Sequence, residues 1–373
     1  MSQLKESQSQ LKLSFKDIKV ATNNFKTRIG RGGYGLVYKG RLTIDGKLTT
    51  VAVKRLNENL SQGLKEFLTE IQLLSGQKHQ NLISLIGYCD EGREKILVYE
   101  YAEHGSLDRY IVRRKSITYT LTWLERLRIC VAAARGLDHL HNHVGEHQTI
   151  IHRDIKSANI LLDANWVAKV SDLGLSVLSL AGLGRSTVIS HACGTQGYCE
   201  PEYFITGAVK KESDVYSLGM VLFEVLCGRL CMMEDDDGFV LSAESAKKSY
   251  ENGNLDEIID PELRKQMNSY SMGTFSAIAY RCLHDDRKKR PPVDLVIKEL
   301  EESLHFQEEY EAKGKSRGNI AELDSEEYWK NKLPKGIEKF VKNLDSFPEY
   351  TTSKQLFMIL RNGISFDLGN RVS

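Results

Sequence analysis

Apolar and polar positions divide the chain into a strand-patterned first part and a helix-patterned second part. From Phe25 to about Leu56 the period is two: Leu36, Tyr38 and Leu42 alternate with Val37, Lys39 and Arg41, an Asp45-Gly46 pair supplies a turn, and Val51-Ala52-Val53-Lys54 returns. This is a β-hairpin signature. From Ser61 to Ser75 the period lengthens, and Leu64, Phe67, Leu68, Ile71 and Leu74 share one helical face. Beyond Leu121 helices dominate: Trp123 to His141, Ser213 to Cys227, Met272 to Leu283, and Val293 to Leu304 after Pro291-Pro292. The most apolar window, Leu218 to Leu226, is interrupted by Glu224 and falls well short of the ~20 residues of a membrane span. It reads as a buried helix.

The two ends are patterned differently. Residues 1 to about 14 are rich in Ser, Gln and Lys and read as a flexible lead before a structured stretch that begins at Phe15. Glu311 to Gly318 has linker composition, and Leu333, Ile337, Phe340, Val341 and Leu344 then resume a helical register, followed by an apolar stretch from Leu356 to Leu360. The expected organisation is a lead over 1–24, a main domain over 25–305, a linker over 306–328 and a short helical extension over 329–373. The extension is assigned a docking role on the main domain or on a partner helix. No solenoid-period repeat and no extended low-complexity tract is present.

Composition narrows the partners more than the fold. A 373-residue chain with 41% hydrophobic content can bury a large core. With 51 basic against 50 acidic side chains no global field points to nucleic acid or to an anionic membrane. Seven cysteines, odd in number and without a C-x-x-C pair, suit a reducing compartment. Met1-Ser2-Gln3 lacks a charged start followed by an apolar core, and Ser2 in place of Gly departs from the myristoylation pattern, so a cytoplasmic location is expected.

Candidate chemistry begins at Gly30, Gly32 and Gly35, a G-x-G-x-x-G run whose missing side chains let backbone N–H groups approach phosphate oxygens. A dinucleotide-binding turn would require a helix to open at the glycines. Here the alternation of Leu36 to Leu42 makes a strand, and Val37 completes G-x-G-x-x-G-x-V, so the glycines belong to a hairpin lying over a nucleotide. Lys54 ends an otherwise apolar strand, where an ammonium is costly unless phosphates and a carboxylate pair it. In the next helix Glu66 and Glu70 lie about 135° and 95° from the centre of the apolar stripe at ~100° per residue, so Glu70 is the nearer partner. Taken singly, such residues are most often a snorkelling lysine and a solvated glutamate. The glycine hairpin beside them favours the pair.

Ile150-Ile151-His152-Arg153-Asp154-Ile155-Lys156-Ser157-Ala158-Asn159 sets Asp, Lys and Asn at offsets zero, two and five after an apolar strand. A carboxylate can take a proton from an attacking hydroxyl, a lysine can neutralise a transferring phosphoryl group, and an amide oxygen can ligate Mg²⁺. Ile160-Leu161-Leu162, a turn at Asp163-Ala164-Asn165 and Val167-Ala168-Lys169-Val170 predict a second hairpin that brings Asn159 and Asp172 to one end. Two oxygen ligands suffice for Mg²⁺, which completes its octahedron with water and phosphate.

With H-R-D-x-K-x-x-N, Asp172-Leu173-Gly174, Pro201-Glu202 and Arg290-Pro291 in order, the chain resembles a eukaryotic protein kinase over roughly residues 25 to 305. The resemblance implies an α+β, two-lobed protein kinase fold with a small β-rich N-lobe and a large helical C-lobe. It implies ATP and Mg²⁺ as cofactors, with Ile29, Gly30, Gly32, Gly35, Val37, Ala52 and Lys54 around the nucleotide. Lys54 would meet the α- and β-phosphates, Glu70 would hold Lys54, Asp154 would act as base, and Lys156 would lie beside the γ-phosphate. Asn159 and Asp172 match the metal ligands. Tyr99 matches the gatekeeper, Glu100 and Ala102 the backbone that holds adenine, and Glu202 with Arg290 the buried ion pair.

Phe15 to Phe25, Gly194-Thr195-Gln196-Gly197-Tyr198 and Pro201-Glu202-Tyr203 resemble plant receptor-like kinases, and a receptor-like cytoplasmic kinase is the nearest reading. That resemblance implies serine/threonine specificity from Lys156 and Thr195, a protein substrate, and an upstream receptor or co-receptor kinase that brings the chain to the inner face of the plasma membrane. The rival is a pseudokinase scaffold. Ser176, Ser179, Ser186, Thr187, Ser190 and Thr195 crowd the loop that follows Asp172, where a phosphate could pair with Arg153. Leu173 stands where the family usually has Phe, and Cys199-Glu200 precedes Pro201 where many kinases have Ala; neither removes a chemical group. His139, His141, His143 and His147 are read as structural and solvated histidines, and Glu234 to Asp237 as a solvated acidic loop.

Overall fold

The computed structural model describes residues 11–32, 35–56, 61–112, 119–180, 187–190, 193–234 and 238–316. Strands β1 (Arg28–Gly32), β2 (Gly35–Ile44) and β3 (Lys47–Leu56) run antiparallel, and Asp45 and Gly46 turn between β2 and β3 with φ of 51° and 77°. Two positive φ values in a two-residue loop give the turn whose twist matches the flanking strands. β5 (Glu94–Glu100) pairs with β3, and β4 (Leu85–Glu91) closes the far edge of the five-stranded sheet.

One face of this sheet is covered by helix α1 (Phe15–Ala21), whose Ile18 is fully buried among Val51, Val53, Cys89, Ile96 and Val98. Ahead of the helix, Leu13 N donates to Tyr88 O (2.8 Å) and Tyr88 N donates to Leu11 O (2.8 Å), which adds chain to the β4 edge. A Cβ on Gly87 would stand 2.6 Å from the Leu13 side chain, so this approach needs the glycine. Residues 11–14, expected within a flexible lead, are therefore tied to the sheet, and the ordered stretch starts before Phe15.

Against the opposite face lies α2 (Ser61–Leu74), and here the structure departs from the apolar pattern. Phe67, Ile71 and Leu74 are buried as expected, yet Leu64 and Leu68 are 47% and 54% exposed while Glu66 and Glu70 are buried. The helix is rolled toward its glutamates because Glu70 has an ion-pair partner inside.

The helical part is built on α3 (Trp123–Asn142), α5 (Lys211–Cys227), α6 (Ser269–Cys282) and α7 (Val293–Ser316). Thr122 and Glu125 form a capping box at the start of α3, and Trp123 Nε1 donates to Ser271 Oγ of α6 (2.9 Å). α5 is buried along most of its length, Glu224 included, in keeping with the reading of its apolar window as a buried helix. α7 was expected to end near Leu304 but continues to Ser316. Gln307, fully buried, accepts from Asn268 N (2.9 Å) and donates to Gln266 O (2.8 Å), and Glu308 pairs with Arg128 (2.9 Å). Residues 306–316, read as the start of a linker, are thus helix; 317–373, with the expected extension, lie outside the described residues. All seven cysteines are free. Among the described residues no helix is long and apolar enough to cross a membrane.

Candidate active site

Cross-strand register gathers the first group of residues. Val37 is paired with Lys54, Lys39 with Ala52, and Ala52 with Tyr99. Paired residues share a face, as do positions two apart along a strand, so Val37, Ala52, Lys54 and Tyr99 line one face of the sheet. Gly30 lies opposite Val37 on β1. A Cβ on Gly35 would approach Arg55 O to 2.4 Å, whereas one on Gly32 would meet nothing within 4 Å. The first glycine is required by the hairpin itself, and the second leaves open space over the sheet. Ile29 is 40% exposed beside it.

Lys54 Nζ stands 2.9 Å from Glu70 Oε1 and 2.6 Å from Asp172 Oδ1, while Tyr99 Oη donates to Glu70 Oε2. Burial opposes the ammonium charge, but the carboxylates of Glu70 and Asp172 outweigh it and raise Lys54 above its ordinary range. Complete burial pushes Glu70 up against the pull of Lys54, and burial next to Glu70 lifts the Tyr99 phenol well above its usual value. Partial withdrawal from water opposes ionisation of Asp172, yet the Lys54 ammonium holds that carboxyl below its usual range. Glu70 is therefore the partner of Lys54, as its place on the helix predicts. Glu100 faces away from this group: its carboxylate accepts from Ser84 N (2.7 Å) and pairs with Lys169 (3.3 Å). Ala102 follows β5, where its carbonyl accepts from Gly105 N (3.1 Å).

The second group comes from the loop between β6 (Gln148–Ile151) and the hairpin of β7 (Ile160–Leu162) and β8 (Ala168–Val170). Ile160 pairs with Val170, which places Asn159 and Ser171 side by side; Ser171 N and Oγ both donate to Asn159 O (2.9 Å each). His152 Nε2 lies 2.9 Å from Ser171 O and so ties the loop to the residue before Asp172. Asp154 is 8% exposed. Its Oδ2 is 2.8 Å from Lys156 Nζ and accepts from Asn159 Nδ2 (3.0 Å), and its Oδ1 accepts from Thr195 Oγ1 (2.7 Å). Lys156 Nζ also donates to Thr195 Oγ1 (2.7 Å). Asp172 bridges the two groups through Lys54, with a φ of 64° that aspartate tolerates better than most residues.

The set suits a magnesium nucleotide by its donor chemistry. Asn159 spends its amide nitrogen on Asp154, which leaves Oδ1 as its oxygen donor, and the Asp172 side chain is 41% exposed and, among the described residues, engages Lys54 through Oδ1 alone. Two oxygens of this kind meet the sparse requirement of Mg²⁺.

Two supports carry no sequence motif. Asp214, fully buried at the start of α5, accepts from His152 N (2.7 Å) and Arg153 N (2.8 Å) and lies 2.9 Å from His141 Nε2. It holds Arg153 at a φ of 73°, a strained value for arginine. Arg153 then donates to Tyr203 Oη (3.0 Å), Leu175 O (3.1 Å) and Ser190 Oγ (3.1 Å). Glu200, buried at the N-cap of α4 (Pro201–Thr206), is bound by both Arg287 and Arg290. This corrects the expected pairing of Glu202 with Arg290. Glu202 is on the outward first turn, 48% exposed at its side chain, and meets Arg287 (2.9 Å). Of the loop hydroxyls, Ser176 and Ser179 are buried, Ser186 lies outside the described residues, and Leu173 is a buried apolar residue as expected.

Residues 24–300 match the family model of the protein kinase domain, and the chain belongs to that family. Within it, the sequence is similar to plant receptor-like protein kinases. It is 45% identical over 322 residues to a receptor-like protein kinase of Arabidopsis thaliana, covering 84% of this chain and 36% of that protein. It is 44% identical over 319 residues to the receptor-like protein kinase FERONIA (84% and 34%) and 46% identical over 302 residues to ANXUR1 (80% and 34%), both of Arabidopsis thaliana. The chain spans about a third of the length of these curated relatives.

Proposed function

We propose that the chain is an ATP-dependent serine/threonine protein kinase acting in receptor-linked signalling. The observation that carries the reading is the convergence of Lys54, Glu70 and Asp172 with Asp154, Lys156 and Asn159. In this reading Gly30, Gly32 and Gly35 cover the phosphates, Val37, Ala52 and Tyr99 border the base, and the backbone of Glu100 and Ala102 holds adenine. Lys54, fixed by Glu70, meets the α- and β-phosphates. Asn159 and Asp172 hold Mg²⁺, which when bound neutralises phosphate charge. Asp154 takes the proton of the acceptor hydroxyl as its oxygen bonds to the γ-phosphorus and the bond to the bridging oxygen of ADP breaks. Lys156 stabilises the charge of the moving group.

Serine/threonine preference is supported by Thr195, whose hydroxyl is fixed by both Asp154 and Lys156. Regulation by autophosphorylation is supported at Ser190, because a phosphate on that oxygen would meet the Arg153 guanidinium now 3.1 Å away. A protein substrate, an upstream receptor or co-receptor kinase and a place at the cytoplasmic face of the plasma membrane follow from the similarity to receptor-like kinases.

Purified protein incubated with Mg-ATP and a generic acceptor tests the reading against the Asp154→Asn variant. Transfer by the wild type with loss in the variant is expected. Equal absence of transfer in both would leave a pseudokinase scaffold. Mg-dependent stabilisation by ADP, abolished in Asp172→Asn, checks nucleotide binding separately.

A further inference from the structure

The histidines grouped near the end of α3 form no metal cluster among the described residues. His141 serves Asp214. His139 instead stacks on His79, from the turn between α2 and β4, with centroids 4.7 Å apart and planes 13° from parallel. His143 continues the row at 6.4 Å and lies 3.0 Å from Asp138 Oδ2.

The turn that carries His79 is a seam between the sheet-bearing and helical parts. Val170 N donates to Asn81 O (2.9 Å), Ile83 N donates to Val170 O (2.9 Å), and Asn81 Nδ2 donates to Ala168 O (3.0 Å). α3 approaches closely: a Cβ on Gly136 would stand 2.3 Å from Asn81 O. On the outer side the seam is closed by the two stacked rings and by His139 Nε2, 2.9 Å from Gln77 Oε1.

Hydrogen-bond roles fix the protons on both rings. Asn81 N faces His79 Nδ1 at 3.2 Å, and a backbone amide can only donate, so Nδ1 is bare. Gln77 Oε1 can only accept, so His139 carries its proton on Nε2. A second proton on His79 would set N–H against the N–H of Asn81, and a second proton on each ring would stack two cations. The charged groups around the pair are Asp138 and Arg135 on α3, His143 at its C-terminal cap and Lys169 on β8. Lys78 adjoins His79 in the same turn. Asp138 is the one carboxylate in this set, and it already accepts from Asn142 Nδ2 (2.7 Å) and contacts His143.

We propose that the His79 and His139 stack is a proton-sensitive clasp between the turn before β4 and helix α3, closed when both rings are neutral and released when His79 takes a second proton. Burial first, and then the neighbouring histidines, hold both rings below the ordinary histidine range. The open state therefore binds protons more readily than the closed one. The contribution of the clasp is complete above the ordinary histidine value of about 6.5 and is lost as pH falls below it. Release would loosen the connection that follows α2 and, resting on the nucleotide reading above, the seat of Glu70.

The test is amide hydrogen exchange at Asn81 and Ile83 in the full chain, between about pH 7.5 and 5.5, after correction for intrinsic rates. Exchange in the wild type should rise about tenfold relative to α5 as pH falls, and should stay flat in the double variant His79→Asn/His139→Phe. In that variant the introduced asparagine side chain can still accept from the amide two residues on, the introduced phenyl ring can still stack, and neither titrates. A flat wild type, or an equal rise in the variant, overturns the proposal. Ring titration of the wild type by NMR needs no variant: both rings should titrate below about 6.5, and either one at or above that value overturns the clasp. ADP affinity measured over the same range separates the two readings. If exchange responds and affinity does not, the clasp stands and its link to the nucleotide site fails.

Discussion

Replacing Glu200 by Gln should be among the most damaging single substitutions in the helical part, although the residue touches no reacting group. Its side chain is fully buried and receives Arg287 Nε on both oxygens (3.0 Å each), Arg287 Nη2 (2.5 Å) and Arg290 Nη1. Gln keeps the volume and removes the charge, which leaves two guanidinium groups withdrawn from water around a neutral amide. Breaking a buried pair by removing one partner costs about 3–5 kcal/mol. Against a total of about 5–15 kcal/mol this is a large fraction. The matched control is Glu202→Gln, because that carboxylate is 48% exposed and, among the described residues, pairs with Arg287 alone; an exposed pair contributes about 0–1 kcal/mol. Urea unfolding followed by circular dichroism measures both. A pH series adds a signed test. Burial opposes ionisation of Glu200, but Arg287 and Arg290 hold its carboxyl below the usual 4.5, so its stabilisation is present above that value and fades as pH falls through the folded-state value. The gap between wild type and Glu200→Gln should accordingly narrow in acid. If Glu202→Gln proves as destabilising as Glu200→Gln, or the latter costs under about 1 kcal/mol, the buried pairing described here is wrong.

Ile18→Ala should cost about 2–5 kcal/mol in the same assay, since it empties a fully buried site under the sheet; a loss below about 1 kcal/mol would place α1 outside the core. Gly35→Ala and Gly32→Ala should separate folding from binding. The former forces a Cβ to 2.4 Å from Arg55 O and should lower the melting temperature, while the latter meets nothing within 4 Å and should leave stability unchanged while weakening ADP affinity. Unaltered affinity in Gly32→Ala would remove the space over that glycine from the nucleotide site. Asp214→Asn turns a donor toward one of two backbone N–H groups, and phosphoryl transfer should fall by about 10²-fold through misplacement of Asp154. An active Asp214→Asn enzyme would mean that the loop holds its own shape.

What the sequence discloses and what it hides divide along one physical line. The glycine hairpin, the Asp154 to Asn159 loop and the β7 to β8 hairpin are legible because their chemistry is local: a few residues of fixed spacing decide both conformation and function. Asp214 is silent in the sequence because its role is defined by partners 61 and 62 residues away, and a carboxylate at a helix start is also the commonest kind of solvated cap. The choice between Glu200 and Glu202 fails for a related reason. Both flank Pro201, and only the extended backbone of Glu200 at the N-cap, with φ −67° and ψ 147°, turns one inward and sends the other onto the exposed first turn. On α2 the apolar stripe misleads outright. Leu64 and Leu68 give the helix a hydrophobic edge that the fold leaves in water, and the buried edge contains Glu66 and Glu70. Burying a carboxylate is unfavourable unless its partner is already in place, and Lys54 is delivered by a strand paired 16 residues earlier. Hydrophobic periodicity weighs each residue by its own transfer cost, so it cannot see a charge whose cost is offset by another segment. The helix roll is therefore set by the ion pair that the site requires, and the deviation from the apolar pattern is itself a marker of that site.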